Sequence, residues 1–240
     1  MKTDRLYTLK KEDLPKAIRT LTESFAADPL YRQLIPEAKL RRRLLPELFE
    51  CDTEEMFESC DIFADSPEVN GLIIVDDETE DYNRLAYYSL EAFYTLKTDA
   101  CLIRDDLSLK TLWNFFLGRQ YLNSRWTEEL SDNRLHIIYF AVRPASQGSG
   151  IAHKLITPVM EYADRKDLLL SLETHNAKNL PRYQHYGFKV YKTLQSHFSL
   201  TQYCLVREPG GGRLRRLFGT KPGRYGSYAI MTVLKREGLA

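Results

Sequence analysis

The chain has 240 residues, 43% of them hydrophobic and 28% charged, which suits a globular protein with one sizeable core. Its 34 Lys and Arg nearly balance its 33 Asp and Glu, so we expect neither a nucleic acid nor a membrane as a partner. No apolar run reaches the roughly 18 residues of a transmembrane helix, and no signal peptide is recognisable. Four scattered Cys and five dispersed His predict reduced thiols, a cytoplasmic location and no metal site.

The first half of the chain predicts helices and two short strands. The predicted elements are a helix at 13–26, a basic helix at 37–58, strands near 60–64 and 71–76, and a mostly helical segment at 84–130. Asp13 and Pro15 mark the start of the first helix, and Asp28-Pro29 is expected to end it. Pro46 is expected to break or kink the second helix.

The second half of the chain predicts a more regular alternation of strands and helices. The predicted elements are a strand at 135–142, a helix at 150–166, a strand at 168–173, a short helix at 176–186, and strands at 187–195 and 226–236. The run 135–142 is almost wholly apolar, as in a strand buried on both faces. A strand, a helix and a strand within about 40 residues indicate a right-handed crossover between parallel strands.

The segment 142–152 reads VRPASQGSGIA and predicts a turn between a strand and a helix. The turn and the helix start consist of Gln147, Gly148, Ser149, Gly150, Ile151 and Ala152. Backbone N–H groups and the helix dipole favour a phosphate there, and the glycines permit its close approach. The segment lacks the Gly-Lys-Ser/Thr ending of a Walker loop and does not read G-x-G-x-x-G. A tight turn that only begins a helix is the alternative.

Two blocks in this half resemble those of the GNAT superfamily of N-acetyltransferases. QGSGIA is similar to its Q/R-x-x-G-x-G/A signature, with Gln147, Gly150 and Ala152 in the defining positions. Downstream, LETHNAKNLPRYQHYGF is similar to its second block, which contains Asn176, Asn179 and Tyr183. Within the superfamily, the chain looks most like the puromycin-type acetyltransferase branch in three segments, which are SFAADPL, LHIIYFAV and LETHN.

The resemblance implies an α/β fold with a central mixed and strongly twisted sheet. We expect six to seven strands flanked by helices, with the two central parallel strands splayed apart. The whole chain, 1–240, is expected to be a single acyltransferase domain. The segment 84–130 would then be a helical insertion on the acceptor side.

The resemblance also implies acetyl-CoA as the acyl donor. Its pyrophosphate would bind the amides of 147–152, and its pantetheine arm would lie beside Phe140, Ala141 and Val142. The Val142 N–H would face the oxyanion, and Tyr183 matches the family's general acid. Asn176 and Asn179 would bind the pantetheine arm or cap a short helix.

The general base is less clearly indicated. Many family members carry a Glu on the strand before the phosphate turn, where this chain offers His136 and Tyr139. Glu173, at the end of the next parallel strand, is the preferred candidate, with His136 as the second. His175 and His185 are interpreted as surface residues.

The predicted reaction is acetyl transfer to a primary amine of a small molecule or a peptide. A CoA-binding sensor or assembly module without activity is the alternative, and a nucleotide-binding regulator is a third possibility. The chain would be a monomer or a homodimer. The basic residues Lys39, Arg41, Arg42 and Arg43 are interpreted as a solvated helix face, and the Gly- and Arg-rich segment 209–226 as a solvated loop.

Overall fold

A computed structural model describes residues 1, 3–80, 83–118, 124–130, 133–195 and 199–211. Its helices are α1 (Leu14–Phe25), α2 (Pro29–Leu34), α3 (Ala38–Ser59), α4 (Arg84–Asp105), α5 (Lys110–Gly118), α6 (Ile151–Lys166) and α7 (Leu180–His185). Its strands are β1 (Tyr7–Thr8), β2 (Asp61–Ala64), β3 (Gly71–Asp77), β4 (Arg134–Val142), β5 (Leu169–Thr174), β6 (Lys189–Gln195) and β7 (Thr201–Arg207). Short 3₁₀ turns lie at Lys11–Asp13, Ser124–Glu129, Pro144–Ser146, Ala177–Asn179 and Pro209–Gly211.

The strands form one mixed sheet in the order β1-β2-β3-β4-β5-β7-β6. Of the pairs in that order, β4 and β5 run parallel and the others run antiparallel. The parallel pair is joined through α6, as the strand–helix–strand pattern predicted. The predicted fold class is therefore confirmed, with seven strands in the described part of the chain.

The parallel pair separates along its length. β4 and β5 pair from Arg134 opposite Leu169 to Ile137 opposite Leu172. β4 continues to Val142, and over this last stretch it pairs with β3 on one side only. A gap therefore opens between the two central strands towards their carboxyl ends, as the family resemblance implied.

A β-bulge lies where this gap begins. Ile74 faces Tyr139 and Val75 faces Ile137, so Ile138 is an extra residue in β4. A bulge moves the residues beyond it to the opposite face of the sheet. Ile137 accordingly packs on the α6 side of the sheet, while Tyr139 packs on the side of α1 and α3.

The sheet separates two apolar clusters. The cluster on one face includes Leu21 of α1 and Phe49 of α3, and the one on the other face includes Leu155 and Val159 of α6. The start of α6 lies very close to β3, since a Cβ added at Gly71 would lie 2.5 Å from a methyl carbon of Ile151. The close approach fixes where α6 begins relative to the sheet.

Several sequence predictions need correction. The first helix ends at Phe25, before Asp28-Pro29 as predicted, but the short helix that follows was missed: Asp28 accepts the Leu30 amide at 2.9 Å and Pro29 begins α2. β7 was missed, since no element was predicted between residues 195 and 209, and the predicted strand 226–236 lies outside the described residues. The helical prediction for 84–130 is correct over α4 and α5, while the placement of this segment on the acceptor side stays a prediction.

The basic residues predicted to form a solvated face on the second helix are not all free in solvent. Arg41 donates to the Ile35 carbonyl at 2.6 Å, and Arg43 donates to the Asp105 carbonyl at 2.6 Å. Both side chains therefore join α3 to neighbouring segments. Within the ranges described here, no helix is long and apolar enough to cross a membrane.

Candidate active site

The glycine turn lies at the end of β4 and opens towards solvent. Gly148 and Gly150 have φ values of 82° and 85°, a conformation that favours glycine, and residues 147–150 are exposed. Ile151 and Ala152 begin α6, so their amides have no partner within the helix. This arrangement offers unpaired donors and the positive end of a helix dipole, which suits a phosphate.

The last residues of β4 direct backbone groups into the gap. The Arg143 amide donates to the Asn70 carbonyl, which continues the ladder on the β3 side. Because backbone groups alternate sides along a strand, the N–H groups of Val142 and Phe140 point away from β3, towards the gap. The Val142 carbonyl accepts the side-chain amide of Gln147 at 3.2 Å, which agrees with this direction.

A pocket of about 130 Å³ lies at the base of the gap. The parallel strands contribute six apolar or acidic lining residues, which are Ile137, Ile138, Tyr139, Phe140, Leu172 and Glu173. The pocket is completed by Thr174 of β5 and by residues of other segments, which are Phe25, Asp28, Leu30, Tyr31, Ser124, His175, Asn179, Tyr183 and Gln202. The sequence candidates Tyr183, Glu173, Phe140 and Asn179 thus share one pocket.

Tyr183 projects into this pocket from α7. Its ring packs edge-to-face on Phe188, with the ring centroids 5.9 Å apart. Burial, with a contribution from the charge of Asp28, raises the pKa of Tyr183 to about 12. The phenol therefore keeps its proton over the ordinary pH range and can act only as a donor there.

Glu173 lies one residue beyond Leu172, the last residue of β5 that pairs with β4, and it accepts several hydrogen bonds. Its Oε1 accepts the Ser124 hydroxyl at 2.7 Å, and its Oε2 accepts the Trp126 indole N–H at 3.1 Å. His136 Nε2 lies 3.3 Å from Oε2, and His136 Nδ1 lies 2.9 Å from the Ser171 hydroxyl. The two candidate bases are therefore neighbours, with Glu173 facing the pocket.

Glu173 and His136 share one proton-binding unit. Burial opposes charge on each, but their mutual attraction outweighs it, so the pKa of His136 is raised and that of Glu173 is lowered. A proton shared by the pair therefore resides preferentially on His136, and Glu173 is favoured as the carboxylate.

The two asparagines have different positions. Asn176 caps the 3₁₀ turn, since its Oδ1 accepts the Lys178 amide at 3.1 Å. Asn179 lines the pocket, and its side-chain amide donates to the Thr174 hydroxyl at 3.3 Å. A capping role for Asn176 is observed, and pantetheine binding by either residue stays a prediction.

Sequence reasoning missed several residues of this site. His175 is not a surface residue: it lines the pocket with Nε2 3.3 Å from the Gln202 side-chain oxygen, and burial lowers its pKa. Ser124 and Trp126 come from the segment predicted only as helical. Tyr31 directly follows the segment SFAADPL. The similarity of this segment to the puromycin-type branch was the sequence signal that could have pointed to Tyr31.

The fold and the pocket together match what the family resemblance implied, namely a splayed parallel strand pair beside an exposed glycine turn. Residues 45–188, more than half of the chain, match the Acetyltransferase (GNAT) family. The chain belongs to this family of acetyltransferases. Its assignment to the puromycin-type branch stays a prediction.

Individual relatives agree with this membership. An uncharacterized N-acetyltransferase, C550.08, of Schizosaccharomyces pombe is 24% identical over 219 residues, covering 84% of this chain and 82% of its own length. The histone acetyltransferase HPA2 and related acetyltransferase structure from Corynebacterium glutamicum has a TM-score of 0.58 at 18% identity, covering 87% of this chain and 98% of its own. An N-acetyltransferase structure from Staphylococcus aureus has a TM-score of 0.51 at 16% identity, covering 84% and 98%. Both structures are similar in fold.

Proposed function

We propose that this protein transfers an acetyl group from acetyl-CoA to a primary amine by direct attack of the amine on the thioester. The observation that carries the proposal is that Tyr183 and Glu173 line one pocket at the point where β4 and β5 separate. A phenol and a carboxylate at one reacting centre supply a proton donor and a proton acceptor.

The donor would occupy the gap and the glycine turn. The pyrophosphate would accept hydrogen bonds from the amides of 147–152, and the pantetheine arm would lie beside Phe140, Ala141 and Val142. The Val142 N–H would donate to the thioester oxygen as charge develops on it. A donor of this kind is typically worth about 3 kcal/mol in the transition state.

Tyr183 would protonate the departing thiolate. When the C–S bond breaks, its electron pair stays on sulfur, and the phenol O–H is the donor that faces the pocket. The phenolate then recovers a proton from water, which is favourable because the pKa of Tyr183 is raised to about 12. Phe188 holds the ring from one side, so the hydroxyl is presented in one direction.

Glu173 and His136 would accept a proton from the amine nitrogen. The carboxylate faces the pocket, and the imidazole behind it has a raised pKa because of the same carboxylate. Ser124 and Trp126 hold the carboxylate oxygens in place, so its lone pairs have a defined direction. In this pair Glu173 would contact the amine nitrogen, and His136 would hold the proton.

The acceptor would be a primary amine of a small molecule or of a peptide. Asp28 and Glu173 provide acidic groups on the pocket wall, and Phe25 and Tyr31 provide aromatic faces. Carboxylates and aromatic faces attract an alkyl ammonium. The donor and the acceptor would thus approach the pocket along different walls.

Ligand-dependent thermal unfolding followed by a thiol-release assay tests this proposal. Acetyl-CoA and CoA should raise the melting temperature, whereas ATP and NAD should leave it unchanged. Thiol release should then appear with one class among alkylamines, polyamines, aminoglycosides and peptide N-termini. Stabilisation without any thiol release would favour a CoA-binding module, and no stabilisation by either CoA species would contradict both functions.

A further inference from the structure

Asp52 lies one hydrogen bond behind the pocket wall. It belongs to α3, and its Oδ2 accepts the hydroxyl of Tyr139 at 2.6 Å. Tyr139 lines the pocket, and its hydroxyl oxygen lies 3.4 Å from that of Tyr31, which lines it as well. A chain of exchangeable protons therefore connects the pocket to a carboxylate through a phenol.

Acidic groups surround Asp52, and no cation pairs with them among the residues that the structure describes. Glu55 lies one turn further along α3, and Glu91 of α4 acts electrostatically on Glu55. Glu91 is 3% exposed, and its Oε1 has no hydrogen-bond partner among the described residues. Lys97 of α4 is paired with Glu54 at 2.6 Å.

Burial therefore disfavours the charged form of Asp52, and among the described residues the hydrogen bond from Tyr139 is the contact that opposes this effect. Burial raises the pKa of Asp52 to about 7, and the hydrogen bond from Tyr139 offsets it only in part. Tyr139 itself keeps its proton, because burial and the nearby Asp52 raise its pKa well above the usual range. A neutral phenol that donates to a carboxylate of this basicity can pass a proton on without becoming charged.

Acetyl transfer to an alkylamine has to remove two protons of different acidity from nitrogen. The free ammonium has a pKa of about 10, as in Lys, and must lose its proton before nitrogen can attack. The second proton leaves from the positively charged nitrogen of the tetrahedral intermediate, which is far more acidic. Glu173, with its lowered pKa, suits the second step better than the first.

We propose that Tyr139 and Asp52 form the relay that removes the first proton from the acceptor ammonium. This proposal rests on the proposed acetyl transfer and assigns its earliest step. As an N–H bond of the ammonium breaks, Tyr139 Oη gains that proton and donates its own to Asp52 Oδ2. The nitrogen keeps the electron pair and attacks the thioester carbon.

The remaining steps balance the charge. The tetrahedral intermediate gives its second nitrogen proton to Glu173 and His136, and the C–S bond breaks as Tyr183 protonates the sulfur. The products are the amide, free CoA and one net proton released to solvent. Asp52 and His136 lose their protons to water, and Tyr183 regains one.

The test compares two acceptors of nearly equal size, n-butylamine and 2,2-difluorobutylamine, in which fluorine lowers the basicity of nitrogen. In Asp52→Asn and in Tyr139→Phe, kcat/KM for n-butylamine should fall about 100-fold near pH 7, because general-base catalysis is worth about that factor. The difluoro analogue, whose ammonium is far more acidic, should lose much less. The acidic limb near pH 7 should disappear from the n-butylamine profile of both variants.

Glu91→Gln is the matched control, since burial also raises the pKa of Glu91 to about 7. It should retain the profile of the wild-type protein. Glu173→Gln should slow both amines to a similar extent, because the second proton is acidic in either case. Thermal stabilisation by acetyl-CoA should persist in every variant and establishes that each one is folded.

Two results would overturn the relay. Equal loss of kcat/KM for both amines in Asp52→Asn would indicate a structural role for Asp52, and an unchanged pH profile would remove Asp52 from the reaction. Either result leaves the acetyl transfer standing. If the wild-type protein binds acetyl-CoA but acetylates neither amine, the proposed transfer to small amines fails, and the relay with it.

Discussion

At the scale of single residues, the pocket shifts the pKa values of the proposed proton donor and the proposed proton acceptor in opposite directions. Burial raises the pKa of Tyr183 to about 12, whereas the contact with His136 lowers the pKa of Glu173. Groups whose environments shift their pKa values apart are suited to opposite roles in one reaction. The assignment of Tyr183 as the acid therefore has a physical basis besides the family motif.

Replacing Tyr183 with Phe should slow turnover and leave acetyl-CoA binding intact. We expect kcat to fall about 100-fold, the lower range for loss of a general acid. Because an acid works in its protonated form and the pKa of Tyr183 is raised to about 12, the wild-type rate should show no alkaline loss from this group below about pH 11. Steady-state kinetics from pH 6 to 10 and calorimetric titration with acetyl-CoA would measure both quantities.

Tyr162→Phe is the control for this change, because Tyr162 is also a partly buried tyrosine but belongs to α6 and bonds Asp77 at 3.4 Å. It should keep the wild-type rate. A Tyr183→Phe variant with the same turnover as the wild-type protein at every pH would exclude the acid role.

At the scale of elements, the start of α6 depends on how closely it approaches β3. A Cβ on residue 71 would lie 2.5 Å from Ile151 Cγ2, 3.0 Å from Leu155 Cδ1 and 3.2 Å from the Ala141 carbonyl oxygen. Ile151 is the first residue of α6, so a displacement of Ile151 also displaces the glycine turn that precedes it. Packing in the core and the geometry of the proposed phosphate site are therefore coupled.

Gly71→Ala should lower the free energy of unfolding and weaken acetyl-CoA binding together. Overpacking of this kind costs about 1–3 kcal/mol, and α6 must shift to accommodate the methyl group. Denaturant titration and calorimetry would measure the two effects. Ile151→Ala removes the side-chain atom nearest to the added methyl group. The double variant should therefore lose less free energy of unfolding and less acetyl-CoA affinity than the sum of the losses in the two single variants. Additive effects would place the strain elsewhere.

At the scale of the whole molecule, the packing of α4 on α3 confines acidic groups between the two helices. Glu55 has its pKa raised to about 9 by burial and by the neighbouring Asp52 and Glu91. An acid whose pKa is higher in the folded state than in the unfolded state holds its proton more firmly when folded. Its stabilising contribution is therefore present at low pH and is lost as pH rises through the folded pKa.

The protein should consequently become less stable between about pH 5 and pH 9, and Glu55→Gln should reduce this loss. The amide resembles the protonated acid and carries no charge at high pH. At pH 9 we expect the variant to be more stable by about 1 kcal/mol, or about 2–4 °C in Tm for a chain of this size. Glu58→Gln, an exposed change on the same helix, should have no such effect. Parallel pH dependence in Glu55→Gln and the wild-type protein would contradict the argument.

The sequence by itself determined the local elements and the residues whose roles depend on short spacings. Apolar runs and periodicities of 2 and 3.6 predicted β4, α6 and β5, because the side chains that an element buries repeat along the chain with the period of that element. The glycine turn and the offset of Tyr183 from Gly187 are also local, so the donor side of the site could be predicted. The missed strand β7 has an equally local signal in its run of β-forming residues.

The tertiary structure alone decided which groups surround Tyr139 and Glu173. The bulge at Ile138 turns Tyr139 towards α3, and there it meets Asp52, which is 87 residues away in the chain. Ser124 reaches Glu173 across 49 residues. Contacts of this length follow from the register of the sheet and the packing of helices on it, which no short spacing encodes. The position of Tyr183, the proposed proton donor, was therefore predictable, while the groups around the proposed proton acceptors were not.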